Sequence, residues 1–318
     1  QGAGDTKTAM WLMLLSAGLN VVIDPIFILG WGPVPALGTQ GAAVATFIAR
    51  GAAVVAGVWI LLTGDYGIRL RLADLRPDWD LQRRLVDIGT PATIDGWARS
   101  FSAVVMAAFV AQFSVAAIAA YGIGLRLMSV SWTVAGAVGQ ATATGVGQNL
   151  GANTPDRAAE VVWKATAATM AVLFVAAGFV VAFPAAAIGI FIDEPAVIDE
   201  GIVFLRIIAP FWAFFGGVMV IQGGFRGAGV TKIAMLLSFL SRWIFRVPVA
   251  LLLAFGWDYT VPGTGLTVAA LNWGVTGLWW AFSVGAFASF VVAVGWFRLG
   301  TWKGGVVDRE ESNPTPTD

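Results

Sequence analysis

The sequence predicts an all-α polytopic membrane protein built on a duplicated helix bundle. Three observations predict it. Apolar residues make up 58% of the 318 and charged residues only 12%, whereas a soluble domain carries about a quarter charged residues. Long stretches nearly free of charge recur, each near the ~20 residues that a helix needs to cross a bilayer. The chain also repeats itself: GAGDTKTAM at 2–10 and GAGVTKIAM at 227–235 agree at seven of nine positions without a gap. Each copy runs into an apolar stretch with an internal proline, Pro25 or Pro248. Each then reaches a Gly-x-x-Gly that opens another apolar stretch, Gly38 to Gly41 or Gly274 to Gly277. The period is too long for a solenoid. Strands are not expected, because the apolar runs are rich in Ala, Val and Leu and show no short alternation.

Eight spans follow in order, at about 8–30, 39–63, 90–113, 117–149, 158–183, 198–225, 232–256 and 273–299. The first follows a polar turn, and the second opens after the Gly- and Pro-rich connection from Gly30 to Gly38. The fourth is long enough for its last turns to leave the membrane. A charged linker, residues 65–89, separates two spans (1–64) from a six-span bundle (90–303). Its Trp79-to-Ile88 stretch is amphipathic and suited to the membrane face. Residues 304–318 read as a disordered cytoplasmic tail. The second copy of the repeat is preceded by a long run of apolar helix that the first lacks. If both bundles had six spans, four helices would precede this chain in a twelve-helix, two-lobe parent.

The basic residues orient the spans. Lys7, Arg69, Arg71, Arg76, Arg83, Arg84, Arg157, Lys164, Arg226, Lys232, Arg298, Lys303 and Arg309 all fall at alternate junctions, and the opposite connections hold none. Cytoplasmic connections carry the Lys and Arg excess, so both chain ends are expected in the cytoplasm of a cell that holds the protein in its plasma membrane. Cysteine and histidine are absent. Disulfides, thiolate metal sites and His-based catalysis are therefore excluded from this stretch, and no enzyme is expected. No nucleic-acid partner is expected either.

Charges inside spans are costly and point to function. The intramembrane set is Asp24, Asp95, Arg50, Arg99, Arg126, Arg206, Arg242 and Arg246. Asp24 stands one turn after Asn20 on the same helix face, and Pro25 removes the donor that would satisfy the Val21 carbonyl. Carboxylate, amide oxygen and freed carbonyl are hard ligands, suited to an alkali cation or a proton. The alternative is an Asp-Pro kink whose carboxylate pairs with an arginine such as Arg50. Asp95 and Arg99, also one turn apart, read most simply as a structural ion pair, with a functional role as the alternative. Thr46 and Gln140 are further candidate ligands, although such residues in spans commonly bond to neighbouring helices. Phe211, Trp212, Phe214 and Phe215 cluster in the sixth span and are expected to face lipid, with stacking on an organic cation as the alternative.

At these residues the chain resembles the multidrug and toxic compound extrusion (MATE) transporters, over about residues 1–303. The resemblance rests on GAGDTK at 2–7, NVVIDP at 20–25, GAAVAT at 41–46, AYGIGLR at 120–126, and above all VGQNLGA at 146–152 with PDRA at 155–158. It implies a V-shaped transporter of two six-helix lobes, of which this chain supplies helices five to twelve. It also implies a secondary active antiporter that exports organic cations or drugs in exchange for H+ or Na+, as a monomer, with no cofactor beyond that ion. In the DinF-like, archaeal-type branch, the cation site of the N-terminal lobe uses Asn and Asp on the fifth helix and Thr on the sixth. Those positions match Asn20, Asp24 and Thr46, and a fourth ligand lies on a helix that this chain lacks. The chain is expected not to transport alone. One departure stands out: the second copy has Arg242 and Arg246 on the equivalent helix. A lipid- or oligosaccharide-linked flippase is the rival reading, in which Arg99, Arg126, Arg242 and Arg246 line a basic cavity.

Overall fold

A computed structural model describes residues 6–32, 35–64, 71, 78–260 and 267–303. Most of the 65–89 linker's first half and the 304–318 tail lie outside the described residues. The chain divides into two compact units, residues 1–82 and 83–318. In the first, α1 (Thr6–Leu29) packs antiparallel on α2 (Thr39–Thr63). The second holds α3 (Trp79–Val110, from residue 83 on), α4 (Val115–Gly151), α5 (Pro155–Ala182), the short α6 (Pro184–Gly189) and α7 (Pro195–Ile208). After these come α8 (Trp212–Gly227), α9 (Thr231–Phe239), α10 (Val247–Ala254) and α11 (Val275–Arg298). The Trp79-to-Ile88 stretch forms the first turns of α3, continuous with the helix through Val110.

Seven helical stretches among the described residues are long and apolar enough to cross a bilayer. The stretch expected at 90–113 lies in α3, which is not one of the seven because Asp95 and Arg99 interrupt its apolar half. α4, at 37 residues, reaches about 55 Å, well beyond the ~30 Å hydrocarbon core. The expected sixth span is broken: a 3₁₀ turn at Ala209–Phe211 joins α7 to α8. Pro210 has no N–H to continue the ladder. Between α9 and α10, Leu240–Arg246 widens into a π-helical segment, just before Pro248 withdraws another donor. One feature departs from the all-helical expectation. Asp258–Thr260 and Thr267–Ala269 pair as a small antiparallel ladder, β1 and β2, with Tyr259 opposite Val268. It lies in a connection between spans and does not alter the helical class.

The repeat is visible as geometry. In the first unit Leu37 N–H donates to Phe27 O at 3.0 Å; in the second Trp273 N–H donates to Leu253 O at 2.7 Å. Both following helices start on a glycine at positive φ, Gly38 (55°) and Gly274 (64°). Three residues on, Gly41 and Gly277 press against the preceding helix. A Cβ at Gly41 would sit 2.2 Å from Phe27 O, and one at Gly277 would sit 2.5 Å from Leu253 C. Small residues at such crossings let backbones approach where no hydrophobic force drives helices together. The same device joins α4 to α8, where a Cβ at Gly223 would fall 2.1 Å from Gly139 O.

The second unit's largest buried cluster centres on Trp279, whose ring stacks on Tyr121 at 5.8 Å and meets Phe204 edge-on at 4.8 Å. Its indole N–H reaches Glu200 Oε1 at 3.1 Å, so the polar end of a buried ring is satisfied. The aromatic run of the sixth span is not simply lipid-facing. Trp212 is buried, Phe215 packs on Trp132, and Phe214 meets Phe174, Phe287 and Phe290. The bulky rings fill gaps between helices held apart by their own size.

Gly277→Ala in the purified protein is expected to destabilise it by about 1–3 kcal/mol through overpacking against α10, read as a lower unfolding midpoint in detergent. Gly122→Ala, on α4 with open space around it, should be neutral or stabilising by up to ~1 kcal/mol from helix propensity. Equal loss in both variants would contradict the close-approach account.

Candidate functional site

The α1–α2 hairpin brings three of the residues expected at the site together. Helical spacing of four stacks Asn20 and Asp24 on one face of α1, and Asn20 Nδ2 donates to Asp24 Oδ1 at 3.0 Å. Across the hairpin, the same amide nitrogen lies 3.5 Å from Thr46 Oγ1. The Thr46 hydroxyl donates to Ala42 O at 2.8 Å, which leaves its lone pairs toward Asn20. All three side chains are half-buried. Pro25 lies inside α1 without breaking it, so the bond it removes costs the helix only local satisfaction.

The alternative pairing of Asp24 with Arg50 does not form among the described residues. Arg50 is exposed and, with Asn20 and Thr46, lines a cleft of about 570 Å3 between α1 and α2. Chemically, the trio offers a carboxylate, an amide and a hydroxyl within one hydrogen-bonded group. Which atom of the Asn20 amide faces Asp24 is set by the network. Turned over, it would align amide oxygen, carboxylate and hydroxyl oxygen as hard ligands for a small monovalent cation.

The other polar candidates lie in the second unit. Asp95 and Arg99 form an i, i+4 ion pair along α3, and the second carboxylate oxygen of Asp95 is buried without a hydrogen-bond partner. Gln140 is exposed on α4 and stands apart from them. Arg126 is exposed too, so it does not join Arg99, Arg242 and Arg246 on the wall of the cavity they share. A network that spacing did not reveal lies nearby. Buried Gln222 donates to Ser238 Oγ at 3.0 Å and Ala234 O at 3.3 Å, and accepts from Arg226 Nη2 at 3.5 Å. Its signal in the sequence is a lone Gln in an apolar run with Arg226 one turn on; spacing does not reveal the bonds to Ser238 and Ala234, because those residues are on another helix.

Comparison with known proteins agrees with this architecture. The MatE family model matches residues 91–252, just over half of the chain. The probable multidrug resistance protein NorM of Thermotoga maritima is 30% identical over 254 residues, covering 79% of this chain and 54% of its own length. The multidrug resistance protein NorM of Burkholderia vietnamiensis is 30% identical over 304 residues, covering 94% of this chain and 62% of its own. The chain thus spans between half and two thirds of the length of these relatives. A crystal structure of a point mutant of the Vibrio cholerae MATE transporter VcmN matches with a TM-score of 0.77 over 94% of this chain and 64% of that one, at 23% identity. A shared helical fold, a duplicated hairpin and a family match over most of the second unit lead to one assignment: the chain belongs to the MatE family of multidrug and toxic compound extrusion proteins.

Proposed function

We propose that this chain is the larger part of a secondary active antiporter that exports organic cations or other small drug-like molecules in exchange for H+ or Na+. The observation that carries the reading is the meeting of Asn20, Asp24 and Thr46 across the α1–α2 hairpin. A carboxylate in a bilayer is expensive unless it works, and here its partners are neutral ligands instead of a counter-charge. The relatives named as multidrug resistance proteins support a small-molecule substrate. Asp24 takes the coupling ion, and that occupancy weakens binding of a cationic substrate in the same lobe. Reciprocity requires the substrate to disfavour the ion by the same factor. Alternating access then exposes the site to each face in turn. The protein sits in the plasma membrane as a monomer, with both chain ends in the cytoplasm.

Two outcomes test this. In the full-length protein, Asp24→Asn abolishes ethidium efflux driven by an imposed H+ or Na+ gradient in proteoliposomes, while insertion and yield are unchanged; undiminished efflux would sink the assignment. For orientation, in a cysteine-free background, Asp193→Cys, in the exposed connection between α6 and α7, reacts with an impermeant maleimide added outside intact cells, and Asp156→Cys, in the exposed first turn of α5, reacts only after permeabilisation. The reverse pattern would invert the topology.

A further inference from the structure

The second unit contains a basic cavity for which the chemistry of α1 and α2 has no use. Arg242 and Arg246 stand four residues apart on the π-helical segment, so their guanidinium groups leave the same face. Together with Arg99, Ser102 and Tyr121 they line a cavity of about 260 Å3, whose lining also includes Trp132, Phe215 and Phe282. π-helical segments of this kind recur at functional sites.

The charges there are out of balance. Asp95, the carboxylate within electrostatic reach of Arg242, is already bonded to Arg99. Arg242 gives one N–H to Ser238 O at 3.2 Å. Arg246 lies over the Phe282 ring, 4.2 Å from its centre, and its Nε is buried with no hydrogen-bond partner. The Ser102 hydroxyl is likewise buried and unpartnered. No ion pair to Arg242 or Arg246 forms among the described residues. Two like charges held together away from bulk water repel each other and forgo hydration, and an acid among the lining residues would have relieved both costs. In the register of the repeat, Ala17 and Val21 occupy the positions of Arg242 and Arg246, so the pair is not a requirement of the shared scaffold. Hydrogen bonds also link the end of α8 to this region: Arg226 donates to Gln222, Gln222 donates to the Ser238 hydroxyl, and Arg242 donates to the Ser238 carbonyl.

We propose that this cavity binds an organic anion. The oxyanion, a carboxylate or phosphate, is held by the forks of Arg242 and Arg246, whose planar geometry matches it, with the Ser102 hydroxyl as a further donor. The flat or acyl body of the ligand lies against Trp132, Phe215 and Phe282. Such an anion comes from either a soluble metabolite-like molecule or an anionic lipid headgroup.

Fluorescein, a carboxylate with a flat aromatic body, is the probe, with binding to the purified full-length protein in detergent read by fluorescence anisotropy. Arg242→Gln and Arg246→Gln each weaken binding by about tenfold or more, as expected for loss of a charged hydrogen-bonding partner. The charge-retaining Arg246→Lys weakens it less, and it remains informative should a Gln variant not fold. Displacement by short-chain phosphatidylglycerol but not phosphatidylcholine assigns the anion to lipid; displacement by phenyl phosphate alone assigns it to a soluble molecule. Fluorescein affinity that is unchanged in Arg242→Gln, Arg246→Gln and Arg246→Lys, or absent from the wild type, overturns the proposal. The assay uses no gradient and no transport, so its result is independent of whether Asp24 couples an ion.

Discussion

The bilayer interior offers no water, and the rest of the structure depends on that constraint. Every backbone N–H and C=O within the spans must find its partner inside the protein, which leaves helices as the working element. Helices in lipid gain nothing from hiding apolar surface, so they associate through close packing and a few buried polar bonds. Gly41, Gly277, Gly139 and Gly223 supply the close packing, each leaving no room for a Cβ. Ser283, whose hydroxyl donates to Ile207 O at 2.9 Å, and Gln222 supply the polar bonds. Where proline interrupts the ladder, the backbone answers with a 3₁₀ turn near Pro210 and a π-helical segment before Pro248.

The same constraint separates scaffold from chemistry in the two copies of the repeat. Backbone features recur: a hydrogen bond across the turn, a positive-φ glycine that starts the next helix, and a glycine pressed on the previous one. Side chains do not recur. One copy carries Asn20 and Asp24 in hydrogen-bond contact, and the other carries Arg242 and Arg246 on a cavity wall. Duplication conserved what lets helices approach and left free what faces the space between them.

How far the fold and site were legible follows from which interactions are local. The spans were readable because length and apolarity are properties of one segment, and the α11 stretch expected at 273–299 lies within two residues of Val275–Arg298. Asn20 and Asp24 were readable together because a spacing of four is intrahelical. Thr46 was one weak candidate beside Gln140 until the resemblance singled it out, since its contact crosses 26 residues of chain. The Gln222–Ser238 bond, the packing of Phe214 between α5 and α11, and the exposure of Arg126 all depend on helix rotation, which apolar runs with little amphipathicity do not encode. The small β1–β2 ladder is not legible in the sequence because three-residue strands in a Gly- and Pro-containing connection leave no alternating pattern.

The central claim is that Asp24 holds the coupling ion and thereby competes with substrate. Equilibrium ethidium binding to the purified full-length protein, titrated against Na+ and against pH without any gradient, tests it most directly. The account predicts that affinity falls as one of the two ions rises, and that Asp24→Asn removes this dependence while ethidium still binds. Ethidium affinity indifferent to both ions in the wild type, or a competition that survives Asp24→Asn, would contradict it.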